Sequence, residues 1–398
     1  MRNTLVSRSV IKNPAAYVYP HIECNGVDLT SRANHIVLSS DIDTHGWTAE
    51  VQFINHPDLE DLTPWSGSSY SDVLKPDKVI KVWLRATLTK GEYSGDRDLV
   101  FEGRLGDDIV CGRNVNRDDV VAVRCRSKLK KLLQDIYVLD DFVYPVGARG
   151  ANPWEVGDEN YYESATAVAQ QILNEHVPSP PTLRVLHDPN YSVYPYTIGE
   201  ENIWEILQNL FLATGYVLEE RYWSATDAFE LVLFDPLQVG GADSLDANNY
   251  SVVSRSFSDS DRRTKVRVYY RSRTPEADKA AGAQEPPYAP EGVLYVEKSI
   301  AAPVPRAMKV VEDETSLIDT YAEADAFATM ILNELKYYTA QVSIECPGAL
   351  YYLEPYDTLT LSGPVSGTVT VTGITITITR QRGSIKNTTQ INGVMEIE

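Results

Sequence analysis

Carboxylates and imidazoles gather early in the chain, at Asp41, Asp43 and His45, with His56 and Asp58 nearby. Such a set can hold a metal or pass a proton. It flanks a stretch that alternates as a strand, so a solvated loop accounts for it more simply. His21 and Cys24 have half the spacing of a ligand set. Cys111 and Cys125 have no CxxC partner, and a structural zinc site wants four close ligands. Asp107-Asp108, Asp118-Asp119 and Asp140-Asp141 are paired acids of the kind glycoside hydrolysis uses. Neighbours on a strand point to opposite faces, however, and 56 acidic residues produce such pairs by chance. Tyr161-Tyr162, Tyr337-Tyr338 and Tyr351-Tyr352 offer sugar platforms, interface packing or half-buried sheet positions. There is no Walker A loop, no GxGxxG after a strand, no GxSxG and no HExxH. The expectation is no catalytic residue, no cofactor and no metal.

One dense basic run remains: Arg262, Arg263, Lys265 and Arg267, extended by Arg271 and Arg273. Nucleic acid would suit it, but the whole chain carries 36 basic and 56 acidic residues, a balance of −20. Gripping DNA requires clustered cations on a basic surface. A contact with an acidic neighbouring subunit is the better expectation for the run.

The elements that position these residues follow from periodicity. Up to about residue 126 the pattern is β. Trp47, Ala49, Val51 and Phe53 alternate with polar residues, as do Ile80, Val82, Leu84 and Ala86, and Val121, Val123 and Cys125. Leu129, Leu132, Leu133 and Ile136 then share a helical face. A second helix carries Ala165, Val168, Ala169, Ile172 and Leu173 behind Ser164 as N-cap. A third carries Ile203, Ile206, Leu207, Leu210 and Phe211, with Gly215 suited to a left-handed cap. Strands at 216–219 and 230–234 complete a mixed unit. From about 250 the β pattern returns. It is interrupted by a Pro/Ala/Gly-rich insertion at 272–292, expected to be loose, and by a helix at 320–336. That helix begins with the capping box Thr320-Tyr-Ala-Glu323. Gly373, inside an alternating tail, marks a bulge.

With 398 residues the chain has room for two or three domains. No run of about 18 apolar residues suggests a membrane span, and the first residues lack the apolar core of a signal peptide. Four cysteines are too few for a disulfide scaffold. Tyr outnumbers Phe by 24 to 8, a balance that suits either a wet surface packed on assembly or an ordinary β surface.

In chain order these segments resemble the tail hub (baseplate hub) proteins of tailed bacteriophages, which are related to the hub part of type VI secretion spikes. Three places carry the resemblance: Gly46 to Asn55 with Leu74 to Val79 and Val100 to Gly106; Tyr196 to Trp204 leading to Gly215-Tyr-Val-Leu; and Ala322 to Leu335 with Val342 to Pro347 and Leu353 to Leu361. The family's Pro-Gly-Asp turns lack their glycine here. Asp77 follows Pro76 directly, and Tyr356 stands after Pro355.

The resemblance implies an α+β, β-rich fold: a tube-like β-barrel domain (1–126), an α+β domain (127–249) and a second barrel domain (250–398). It implies a non-enzymatic subunit of the virion tail tip, made in the host bacterial cytoplasm. Three copies would close the tail tube, adapt its sixfold symmetry to a threefold tip and let DNA pass as cargo through an acidic lumen. The implied partners are two further copies, a tail tube or distal tail protein ring, a spike or fibre protein, and the tape measure protein. The alternative is a virion-borne or secreted protein that binds or hydrolyses cell-wall glycan.

Overall fold

A computed structural model describes residues 4–56, 59–63, 68, 70, 72–113, 119–138, 142–144, 163–189, 192–193, 196–198, 201–212, 215–223, 225–258, 263–287, 290, 292–300, 309–312, 318–335, 338–381 and 384–397. A short helix α1 (Arg8–Ile11) precedes the first β block. That block holds β1 (Tyr17–Cys24), β2 (Val27–Asp28), β3 (Ala33–Asp41), β4 (Gly46–Ile54), β5 (Val79–Thr87), β6 (Asp98–Arg113) and β7 (Asp119–Ser127). The middle block holds α2 (Lys128–Gln134), β8 (Tyr137–Val138), β9 (Phe142–Tyr144), β10 (Glu163–Ser164), α3 (Ala165–His176), β11 (Leu183–Val185), β12 (Ser192–Val193), β13 (Tyr196–Ile198), β14 (Glu201–Asn202), α4 (Ile203–Leu212), β15 (Val217–Trp223), β16 (Ala228–Phe234) and α5 (Pro236–Val239). The remainder holds β17 (Ala242–Leu245), β18 (Ser251–Ser258), β19 (Lys265–Arg271), α6 (Pro275–Ala281), β20 (Val293–Ser299), β21 (Lys309–Glu312), α7 (Tyr321–Leu335), β22 (Tyr338–Pro347), β23 (Thr358–Leu361), β24 (Gly367–Gln381) and β25 (Ser384–Ile397).

The β blocks at either end of the chain repeat one pairing order. In the first the neighbours run β3-β4-β7-β6-β5-β1; in the second they run β18-β22-β25-β24-β23-β17. The pairings are antiparallel apart from β17 with β23, which is parallel. Their turns match as well. Asp77 N–H donates to Leu105 O and Leu105 N–H to Lys78 O, both at 3.0 Å. Tyr356 N–H donates to Val371 O and Val371 N–H to Asp357 O, both at 2.8 Å. Asp77 (φ 63°) and Tyr356 (φ 71°) therefore occupy the left-handed position that glycine would fill at least cost. Accordingly, Asp77→Val should lower stability by about 1–2 kcal/mol and Asp77→Gly should not lower it, as read from urea unfolding.

Closed barrels do not form among the described residues. β3 pairs with β24 over His35–Asp41 and Gly373–Thr379, which merges both blocks into a 13-stranded sheet. The reason lies in the edges: β3 finds a partner strand in the other block instead of closing on its own. Each block alternates buried and solvated residues, and both contribute to one core that includes Leu38, Phe53, Val82, Phe101, Ile376 and Leu359. The bulge expected at Gly373 is present between Val371 and Gly373.

A second core joins α2, α3, α4 and β15–β16 to β19, β20 and α7 through Leu173, Leu207, Leu231, Val268, Val296 and Ala328. Strands β19 and β20 and helix α7 thus pack with the middle block, although in sequence they follow the start of the last β block. Ser164 Oγ accepts from Ala167 N–H at 3.2 Å, as an N-cap should. The capping box of α7 is also made: Thr320 N–H donates to Glu323 Oε2 at 3.1 Å and Glu323 N–H to Thr320 Oγ1 at 3.4 Å.

The 272–292 segment corrects the expectation of a loose loop. Pro275 starts α6, at a position where the missing N–H costs nothing. Asp278, 6% exposed, accepts from Ser272 Oγ at 2.7 Å and from Tyr270 Oη at 3.1 Å. Gln284 then bridges to Tyr295. A buried carboxylate with two hydroxyl donors outweighs the composition of the segment.

Candidate assembly surfaces

The early acid–imidazole group is turn chemistry. The Asp41 carboxylate accepts from Thr44 N–H at 2.7 Å and Asp43 N–H at 3.0 Å, closing the β3–β4 turn. Burial holds the His45 imidazole below its ordinary pKa, and Lys130 opposes its charge further. His21 Nδ1 meets Thr30 Oγ1 at 2.9 Å, and the buried Cys24 thiol donates to Val73 O at 3.1 Å. Among the described residues no three His, Cys, Asp or Glu side chains converge as a metal site. Asp58, Asp118, Asp140, Asp141, Tyr161, Tyr162 and Tyr337 lie outside the described residues. Tyr351 and Tyr352 are fully buried, so this pair is core and not a sugar platform. Tyr351 Oη donates to Asp98 Oδ2 at 3.0 Å, tying the two β blocks together.

The basic run falls on β19. Lys265 Nζ lies 2.7 Å from Glu297 Oε1, and Arg267 Nη2 lies 2.6 Å from Glu297 Oε2. Arg267 also covers the Tyr295 ring at 4.3 Å. Hydrogen bonds from Lys265 and Arg267 hold the Glu297 carboxyl below its usual pKa. Lys265 and Arg267 are therefore engaged within the chain, and Arg273 Nε lies 3.7 Å from Asp319 Oδ1. Arg263 lies just before the strand with its N–H on Leu335 O at 2.8 Å, Arg271 is exposed at the strand's far end, and Arg262 lies outside the described residues.

Sequence reading missed a buried ionic cluster between the middle block and the second β block. Arg221, on β15, places Nε 2.9 Å from Glu219 Oε2 and Nη1 3.7 Å from Glu354 Oε2. Its Nη2 donates to Pro355 O at 3.4 Å and its plane stacks 4.0 Å from the Phe234 ring. Asp357 accepts from Gly241 N–H at 2.9 Å and Glu354 N–H at 2.8 Å. Burial works against the Arg221 charge, but Glu219 and Glu354 hold its pKa above the ordinary value. Burial raises the pKa of both Glu219 and Asp357. The only sequence signal was a run of charged residues in a strand, Glu219-Glu220-Arg221, and every one is buried.

Glu220, beside the cluster, points the other way. Its Oε2 accepts from Leu129 N–H at 2.8 Å and Lys130 N–H at 3.0 Å, so it binds the first turn of α2 to β15. Burial pushes its pKa to about 7 despite these bonds. Lys130 stacks on Trp204 at 5.4 Å and donates to Thr44 O, connecting α2 to both the first block and α4.

Several sheet edges lack a strand partner among the described residues, those of β18 and of part of β6 included. The 13-stranded sheet ends at β18, whose outer edge has no strand partner among the described residues. β6 pairs with β5 only over Asp98–Arg104, so its 109–113 stretch likewise keeps one edge open. Val110 on β6 is 61% exposed and Val253 on β18 is 55% exposed. An unpaired strand edge offers backbone N–H and C=O groups that another strand can pair with.

No family model and no curated protein matches this sequence. Solved structures do match its fold. The 43 kDa tail protein of the Shewanella oneidensis prophage MuSo2 aligns with a TM-score of 0.61 and 13% identity, covering 95% of this chain and 98% of that one. The tail protein from Neisseria meningitidis aligns at 0.57 and 12% identity, covering 95% and 96%. An E. coli component of the type VI secretion system, described as structurally similar to the T4 bacteriophage tail proteins gp27 and gp5, aligns at 0.50 and 10% identity, covering 95% and 77%. The chain has the fold of these phage tail and secretion-spike proteins over nearly its whole length.

Proposed function

We propose that this chain is a structural, non-enzymatic subunit of a phage tail tip. In this reading three copies form a hub that closes the tail tube. The repeat carries the proposal: two β blocks with one pairing order, each with the same Pro-containing turn before β5 or β23, joined side by side through β3 and β24. Three copies would present six such blocks to a sixfold tube and three to the tip. A spike or fibre protein on one side, a tube or distal tail protein ring on the other and the tape measure protein inside are the partners this geometry suits.

The charge of −20 fits a conduit that DNA passes without sticking. The exposed end of the β19 run, at Arg271, then faces protein and not the lumen. Exposed ion pairs there would add only about 0–1 kcal/mol each and would set register more than strength.

Mass measurement of the purified chain and its localisation in particles test the reading. A trimer at the tail tip, with no turnover of peptidoglycan and no salt-sensitive binding to duplex DNA, is the expected result. A monomer that binds or cleaves glycan would overturn it. Arg263, Arg267 and Arg271 lining the bore would overturn the charge assignment.

A further inference from the structure

The internal repeat specifies which residues meet when one copy docks on the next. Leu105 and Val371 are equivalent, because each exchanges backbone bonds with the turn before its block's β5 or β23. Leu105 faces Cys125, which faces Ala49, which faces Leu38. Val371 faces Gly393, which faces Val342, which faces Arg255. Leu38 on β3 therefore corresponds to Arg255 on β18. Counting on from Cys125 to Val121 and from Gly393 to Thr389 reaches their partners Cys111 and Ile376, so these two correspond as well.

Within the chain, Leu38 and Ile376 face each other across the β3–β24 junction, both 0% exposed. Their counterparts Arg255 and Cys111 are exposed, on two strand edges that have no partner among the described residues, β18 and the 109–113 stretch of β6. One junction of the repeat is filled and the equivalent one is open at both of its halves.

The geometry points to β18 of one copy adding antiparallel to the open edge of β6 in the next copy, as β3 adds to β24 within the chain. The register sets Arg255 opposite Cys111, Ser256 opposite Val110 and Ser254 opposite Gly112. The occupant is a second copy of this chain, since each edge is the counterpart of the strand the other lacks. Chemistry agrees. After burial itself, the nearby Asp61 carboxylate raises the Cys111 thiol pKa, so the incoming Arg255 meets a negative charge. The buried face of the intramolecular junction is mostly apolar, with Ile36, Leu38, Ile376 and Ile378 on it. The intermolecular one has Ser, Arg and Cys on it, which suits a subunit that is soluble before it assembles. Main-chain bonds supply the affinity in such strand addition.

This inference rests on the hub reading only for the number of copies. Residues directly opposed in an antiparallel pair have Cα atoms about 4.5–5.5 Å apart, within disulfide range. The full-length Arg255→Cys variant, oxidised with diamide, is expected to link through Cys111 into a covalent trimer that reductant dissolves. Wild-type protein, Arg255→Cys with Cys111→Ser, and Ser254→Cys, whose side chain points to the other face, should not link. Ser256→Cys with Val110→Cys in a Cys111→Ser background repeats the test at the neighbouring register. A trimer by mass that none of these pairs links, or that Ser254→Cys links equally well, overturns the pairing and leaves the hub reading standing. An open ladder of linked multimers supports the pairing and overturns the closed trimer. Unlinked monomers at every concentration overturn both.

Discussion

Replacing Arg221 by methionine is expected to cost about 3–5 kcal/mol of stability at pH 7.5, the largest single loss in the molecule. The guanidinium is enclosed by Glu219 and Glu354, with the buried Asp357 nearby, so removing it leaves several carboxylates with no cation in low dielectric. Methionine fills a similar volume against Phe234, which keeps the cavity term small. The loss should shrink as pH falls. Glu219 and Asp357 already have pKa values raised by burial, and once they take up protons they no longer need the cation. Arg221→Lys keeps the charge without the planar fork and should recover only part of the loss. Urea unfolding at pH 7.5 and pH 5 decides between the electrostatic account and simple packing, because a packing defect would be independent of pH. The cluster joins β15 to the turn before β23. Hydrogen exchange should therefore rise first at 217–223 and 354–358.

Glu220→Gln is expected to stabilise the protein above neutral pH by about 2–3 kcal/mol and to change it little near pH 4, in urea unfolding curves. The carboxyl titrates near 7 in the folded chain and near its ordinary value of 4.5 when unfolded. Below that ordinary value it is protonated in both states and costs nothing. Between 4.5 and about 7 the folded chain keeps a proton that the unfolded chain has released, so stability falls as pH rises through this window. Above 7 the loss is complete and the profile is flat. Glutamine removes the charge while its carbonyl oxygen can still accept from Leu129 and Lys130 N–H. Ser127, already close to this carboxyl, can receive the new amide. An unchanged pH profile in the variant would show that Glu220 is solvated in the folded chain.

Periodicity sufficed for several of the elements. The alternation through Val51 and Phe53, the helical stripe through Ala165 to Leu173 and the capping box at Thr320 and Glu323 are local patterns, and each folds as local physics requires. Glycine and proline were less legible. Pro275 reads as a breaker in composition, yet it starts α6, because Asp278 finds Ser272 and Tyr270 as donors. Asp77 and Tyr356 read as departures from a glycine turn, yet both adopt its left-handed conformation. Residue type ranks backbone conformations by only about 1–2 kcal/mol, and the paired bonds to Leu105 and Val371 exceed that.

The sequence by itself determined the layout of the chain: β-rich at both ends, mixed in the middle, and acidic overall. Tertiary structure alone decided what those parts do to each other. Nothing in the strand at 33–41 shows that it pairs with 373–379, because alternation reveals which face is buried but not which edge is shared. The merging of two blocks into one sheet, the return of β19, β20 and α7 to the middle core and the meeting of Arg221 with Glu354 all depend on contacts between positions far apart in the chain. A strand's side chains carry its burial pattern, whereas its edges are backbone, which every residue but proline presents alike.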